Sequence, residues 1–234
     1  MRIAFDKELV LGGHFLLKHL SRERLRELAA NTSLANYARG TVIFQKGDPG
    51  TSMMAVIRGK VKICTHSLGG KELVLNIINK GGLFGEIGLL DGEPRSADAI
   101  ALEETDLLLL DRSRFLPFLA QHPDVSVKLI SLLCQRLRQT SEHLEDTMFL
   151  EAPSRLARAL LRLGDTFGKP GGDGGTRLDI KLSQQQLGNL IGLSRESVNK
   201  HLGDWQRDGV IAVASGMITL CSRDALEEIA STVA

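Results

Sequence analysis

Apolar positions along this chain keep two different periods, and the switch between them divides it. From about Thr41 to Asp111, short apolar or β-branched runs (Thr41–Phe44, Met53–Arg58, Lys60–Cys64, Leu73–Ile78 and Leu107–Leu110) are punctuated by Gly47-Asp48-Pro49-Gly50, Gly59, Gly69-Gly70, Gly81-Gly82 and Asp91-Gly92. Strands at that spacing predict a compact antiparallel roll or sandwich. Ahead of them, Ser21 is placed to cap a helix running through Leu28, with Arg24 where a capping box would carry Glu. Behind them, Ile130, Leu133, Leu137, Thr140, Leu144 and Thr147 recur at alternating three- and four-residue spacings. That is the heptad seam of a long helix, either paired with a twin or packed on its own domain. Thr140 favours the pair, since a polar side chain in such a seam costs stability unless something satisfies it.

The heptads stop at Phe149-Leu150-Glu151-Ala152-Pro153-Ser154, where Pro153 cannot continue the hydrogen-bond ladder but can open a new helix. A hinge is expected there. Arg155–Leu163 reads as an amphipathic helix, and the glycine-rich Gly168–Gly175 as an exposed loop. Ser183 and Gln186 have capping-box spacing, and Leu187, Leu190 and Ile191 give the helix they open a buried stripe. Gly192 suits a turn, and Ser194 caps a second helix with Val198, Leu202 and Trp205 inward. Two short helices about a glycine turn form a helix-turn-helix, and Val210–Val213 with Met217–Leu220 about Ser215-Gly216 would add a hairpin wing. The fold class is α+β.

Composition narrows the function classes. With 234 residues, 43% hydrophobic and 24% charged, the chain is an ordinary globular protein large enough for two domains. Lys and Arg number 29 against 28 Asp and Glu, so DNA binding must come from a local arrangement. Without a long apolar run or a signal-peptide layout in Met1–Asp6, a cytoplasmic protein with no membrane contact is expected. Cys64, Cys134 and Cys221 are odd in number and widely spaced, fitting reduced thiols rather than a disulfide framework or a metal site. No nucleophile–base signature, Walker loop or metal-ligand spacing appears, so neither an enzyme nor a metal site is predicted.

Two constellations carry chemistry. Phe84-Gly85-Glu86-Ile87-Gly88-Leu89-Leu90, followed by Arg95-Ser96-Ala97, brings close backbone approach, a carboxylate, a guanidinium and a hydroxyl into one segment. A guanidinium can fork onto the two equatorial oxygens of a phosphodiester, a hydroxyl and backbone N–H groups can donate to the same oxygens, and a carboxylate can accept from a ribose 2′-OH. That is equipment for a cyclic nucleotide, although the same residues could build a tight turn with an Arg–Glu surface pair. The second constellation is the exposed start of the second helix, Arg195, Glu196, Ser197, Asn199, Lys200 and His201. It offers donors and acceptors to base edges, or forms a solvated helix face.

The first segment resembles the phosphate-binding cassette of the cyclic-nucleotide-binding domain. Ser183-Gln184-Gln185-Gln186-Leu187-Gly188 with Gly192-Leu193-Ser194-Arg195-Glu196-Ser197-Val198 closely resembles the DNA-binding motif of the Crp/Fnr (catabolite activator) family. Together they cover most of the chain in that family's order. The resemblance implies a nucleotide-binding β-roll over 1–120, a dimerisation helix and hinge over 121–150, and a winged helix-turn-helix over 151–234. By it, Gly85 and Glu86 hold the ribose, Ile87 belongs to the same nucleotide-binding set, Arg95 and Ser96 hold the cyclic phosphate, and Thr140 and Ser141 meet the base. It likewise puts Gln184, Ser194, Arg195, Glu196, Ser197, Asn199 and Lys200 on double-stranded DNA. The implied protein is a homodimeric regulator whose effector is cAMP, with cGMP left open, acting on a palindromic operator that starts TGT and contacting RNA polymerase. A haem sensor would be expected to carry a Cys-His arrangement where Gly85-Glu86 stands, and an iron–sulfur sensor N-terminal cysteines. A regulator with a different effector or none is the alternative within the family. A kinase-type regulatory module would leave Ser183 to Leu220 unexplained.

Overall fold

A computed structural model describes residues 7–12 and 21–232, and Met1–Asp6, on which the expectation of no signal peptide rests, lies outside the described residues. The elements begin with α1 (Lys7–Gly12), α2 (Arg22–Ala30), β1 (Thr32–Tyr37), β2 (Val42–Phe44), β3 (Ser52–Arg58), β4 (Val61–His66), β5 (Glu72–Ile78) and β6 (Leu83–Phe84). Next come α3 (Glu86–Asp91), β7 (Asp98–Ala101), β8 (Thr105–Asp111), α4 (Arg112–Gln121), α5 (Pro123–Phe149) and α6 (Ala152–Phe167). The chain ends with β9 (Gly168–Pro170), β10 (Thr176–Leu178), α7 (Gln184–Ile191), α8 (Arg195–Arg207), β11 (Ile211–Ala214), β12 (Met217–Leu220) and α9 (Arg223–Ser231). Two compact units result: Met1–Gly70 with Leu75–Arg136, and Lys71–Val74 with Leu137–Ala234.

The first unit is built on two four-stranded sheets of order β1-β8-β3-β6 and β2-β7-β4-β5. Strand β3 explains why Met53–Ile57 reads as an unbroken apolar run. Side chains alternate across a strand, and here both faces are covered. Met53, Ala55 and Ile57 join Leu108 and Leu110 of β8 in a core with Leu25, Leu28, Phe115, Phe118, Val125 and Leu129 of the helices. Met54, Val56 and Leu107 face Val61, Phe84 and Ala99 in a second core. Ser21 does cap α2, accepting from Arg24 N.

In the second unit, α6 opens with Pro at its first turn and buries Leu156, Ala157, Leu160 and Leu163. Gly168–Pro170, Gly172 and Gly174 are exposed, but the segment is not the plain loop the sequence suggests: Gly168–Pro170 pairs antiparallel with Thr176–Leu178 and forms one edge of the sheet β11-β12-β10-β9. Glycine permissiveness lowered strand propensity, and sheet pairing overrode it. The wing hairpin is as expected, with Ala214 opposite Met217 and Ser215 and Gly216 both at positive φ, 52° and 76°, the two-residue turn that matches strand twist.

The C-terminal half of α5 is tied to α6 by a buried carboxylate: Asp146 accepts from Arg158 Nη1 at 2.7 Å and from Arg162 Nη2 at 2.5 Å. Asp146→Ala strands two cations whose ends reach water only in part. We expect it to lower the unfolding free energy of this unit by about 2 kcal/mol, measured by denaturant titration.

Candidate nucleotide site and DNA-reading helix

Gly85 ends β6 and N-caps α3 in the left-handed conformation, φ 76°, which turns the chain sharply enough to bury Glu86. A Cβ at Gly85 would stand 2.7 Å from Arg95 Nη1, so glycine is required by conformation and by space. Arg95 is fixed from both sides. Its own N–H donates to Asp48 O at 2.8 Å, and its C=O accepts from Gly47 N at 2.9 Å. Its guanidinium is only 5% exposed for the whole residue, donates from Nη1 to Gly85 O at 2.8 Å and from Nη2 to Ser52 Oγ at 3.1 Å, and lies 4.3 Å over the ring of Phe44. Nε is buried with no acceptor.

Every acceptor bonded to this cation is neutral, and no ion pair reaches it among the described residues. Burial pushes its pKa down, opposed by the fields of Asp48 and Glu86. A buried guanidinium without a bonded counter-ion is a poised anion site.

Glu86, 2% exposed, is ion-paired to Arg136 Nη1, and Arg136 Nη2 donates to Leu83 O. Sequence reasoning missed Arg136, Ser52 and Phe44. The spacing of Arg136, one helical turn before Thr140, was the available signal; Ser52 and Phe44 had none, because their pairing with Arg95 depends on long-range register. Ile87 and Ser96 are exposed beside this cluster in sequence, on α3 and after Arg95. Thr140 and Ser141 belong to the second unit, exposed on α5, with Ser141 Oγ donating to Leu137 O at 3.1 Å.

In the second unit the helix-turn-helix is assembled as its caps predict. Ser183 and Gln186 close a full capping box, and Gly192 ends α7 at φ 70°. Leu193 N donates to Gly188 O at 3.0 Å, and a Cβ on Gly188 would stand 2.5 Å from Leu193 O, so the turn needs that glycine too. Ser194 Oγ accepts from Ser197 N at 3.1 Å, and Val198, Leu202 and Trp205 are buried. Ser194, Arg195, Glu196, Asn199 and Lys200 are exposed, and Ser197 and Gln184 half-buried. Arg195 and Glu196 make no ion pair with each other. Gln184 Nε2 donates to Asn199 Oδ1 at 2.7 Å, joining α7 to α8.

A β-roll that holds a buried arginine without a bonded counter-ion, joined in one chain to a winged helix-turn-helix whose second helix starts with exposed polar and charged side chains, defines the class of a ligand-responsive DNA-binding protein. Residues 34–122 match the family model of the cyclic nucleotide-binding domain, and residues 154–229 that of the Crp-like helix-turn-helix domain. The chain is 34% identical over 191 residues to the CRP-like cAMP-activated global transcriptional regulator of Mycobacterium tuberculosis, covering 82% of this chain and 85% of the relative. It is 36% identical over 199 residues to the cyclic AMP receptor protein of Thermus thermophilus, covering 83% and 86%. Among solved structures it is similar to the c-di-GMP responsive global regulator CLP of Xanthomonas campestris, with a TM-score of 0.72 at 25% identity over 86% of this chain and all of that one. The chain belongs to the Crp/Fnr family of transcription regulators. No helix among the described residues is long and apolar enough to cross a membrane.

Proposed function

We propose that this protein is a homodimeric regulator that binds cAMP at the Gly85–Ser96 cassette and, when loaded, a palindromic operator. The observation that carries the reading is Arg95, a buried cation whose bonded acceptors, Gly85 O and Ser52 Oγ, are all neutral and whose Nε has none. A cyclic phosphodiester supplies the missing charge, and Ser96 adds a hydroxyl. Glu86 supplies the ribose acceptor, and Arg136 holds that carboxylate in place. Thr140 and Ser141, carried over from the family's base-contacting segment, complete the ligand set. Their hydroxyls both donate and accept, so the choice of cAMP over cGMP rests on the cAMP-activated relatives.

Dimerisation is supported by α5, where Ile130, Leu137 and Leu144 of the heptad seam are 58%, 68% and 63% exposed, joined by Val127 and Met148. An apolar stripe of that length on one chain calls for a twin. Two α8 helices then meet successive major-groove faces about one helical turn, ~34 Å, apart. Nucleotide binds one of two dimer states better and so shifts the population toward the DNA-competent one. By analogy with the family, where the loop corresponding to Gly168–Gly175 touches RNA polymerase, that enzyme is the proposed further partner.

Calorimetry with cAMP and with cGMP on the purified full-length protein tests the effector; heat from neither would leave the family's effector-free reading. For the DNA side, the family resemblance gives Arg195 a guanine to fork onto and Glu196 a cytosine amino group to accept from. Glu196→Ala should relax discrimination at one base pair by about 1–3 kcal/mol without a uniform loss across sequences, as read by binding selections on randomised duplexes. Lys200 is a point charge and cannot make the planar fork of the arginine that the family's cAMP receptor carries at this position, so a TGT start with altered inner bases is expected.

A further inference from the structure

Three consecutive glutamines open α7, and each has a different partner. Gln186 Oε1 accepts from Ser183 N at 2.9 Å and closes the capping box. Gln185 Nε2 donates to Asn189 Oδ1 at 2.8 Å, on its own helix. Gln184 Nε2 reaches across to α8 and donates to Asn199 Oδ1 at 2.7 Å. Asn199 is exposed one turn after Arg195, next to Lys200.

We propose that Gln184 is a positioning residue for Asn199, and that the joined amides read an adenine at one inner base pair of the half-site. The inference rests on the operator-reading role of α8 proposed above. A lone exposed asparagine can turn its amide over by rotation about its last side-chain bond, exchanging donor for acceptor, and so distinguishes bases poorly. The bond between the two amides couples their orientations, and in the structure it turns the Asn199 carbonyl toward α7. It occupies one of the two lone pairs on Oδ1 and leaves the other, together with both N–H groups of Nδ2. An N–H donor beside an oxygen acceptor complements the major-groove edge of adenine, whose N7 accepts and whose N6 amino group donates. Guanine presents O6 in place of that amino group and sets two carbonyl oxygens against each other. The family resemblance puts Gln184 on DNA, and in the free protein its amide donor is directed to Asn199.

The test is a binding selection on randomised palindromic duplexes, with full-length protein and cAMP, comparing wild type with Gln184→Ala, Gln184→Glu, Asn199→Ala, the Gln184→Ala/Asn199→Ala double variant and Glu196→Ala. The wild type should prefer adenine at one inner pair, and Asn199→Ala should reduce that preference about tenfold. Gln184→Ala should weaken the same preference and leave other positions unchanged, and the double variant should be no worse than Asn199→Ala. Gln184→Glu keeps the length but can only accept, so it draws the Asn199 N–H group toward α7 and should shift the preference at that pair away from adenine, on top of a uniform loss from its charge, if orientation rather than packing is at stake. A uniform loss of affinity in Gln184→Ala with the base profile intact would make Gln184 a phosphate contact and overturn the pair. Effects of Gln184→Ala and Asn199→Ala at different base pairs would overturn it as well. If Glu196→Ala shifts its own base pair while both Gln184 variants keep the wild-type profile, only the pair fails. If wild type and Glu196→Ala share one profile, the reading by α8 itself fails.

Discussion

Arg95→Leu should abolish cyclic-nucleotide binding, with no calorimetric heat at concentrations that saturate the wild type, while the protein stays folded. The phosphodiester loses its forked donor, and hydrogen bonds to a charged group are worth roughly 1.5–3 kcal/mol each. Two of them account for about 3–6 kcal/mol, or a factor of about 100 to 10,000 in affinity. Folding should survive because an apolar side chain replaces a cation that is 5% exposed and has no bonded counter-ion, and such exchanges are often neutral or stabilising. The loss of bonds to Gly85 O and Ser52 Oγ works in the opposite direction. A melting temperature within a few degrees of wild type is therefore the expected control. Unchanged affinity for both cAMP and cGMP would remove the cassette assignment and leave the buried cation as a structural strut.

What was legible before the structure follows from which interactions are local. Caps and left-handed glycines are written within three or four residues. Ser183, Gln186, Gly192 and Ser194 therefore placed the helix-turn-helix within a residue or so, and Gly85 marked the turn into α3. Strands β1 and β7 were not legible. Thr32–Tyr37 mixes polar and apolar side chains on a sheet edge, and Asp98–Ala101 fills a tight space between sheets with alanines whose burial no periodicity reports. Helix α4 hid behind Pro117 and an Asp111 whose side chain makes no capping bond. The site divides in the same way. Arg95 and Glu86 stood out because a guanidinium suits a phosphodiester and a carboxylate suits a ribose hydroxyl, but their partners did not. Ser52 lies 43 residues from Arg95 in sequence, and Arg136 lies 50 from Glu86. Those contacts exist only once β3 is seated beside β6 and α5 has returned to the roll within the first unit.

Leu137→Asp should convert the protein to monomers that keep their fold but no longer bind palindromic DNA, even with nucleotide present. Leu137 sits mid-seam on α5 and is 68% exposed in the single chain, so the substitution removes little of that chain's own packing. The cost falls on association. Burying a leucine contributes roughly 1.5–3 kcal/mol, and a two-fold seam loses it from both copies, about 3–6 kcal/mol in all. Like charges then face each other across an apolar seam, where neither has a partner, and this adds to the loss. Together these raise the dimer dissociation constant by a factor of at least about 100 to 10,000. A monomer presents one α8 to one half-site and forfeits the effective concentration that links the two, so operator affinity falls far more than any single base contact could account for. Sedimentation velocity supplies the measurement, with the melting curve as control for the fold. An intact dimer in the variant would move the subunit contact away from the α5 seam, whereas a folded monomer with undiminished palindromic binding would separate DNA reading from dimerisation altogether.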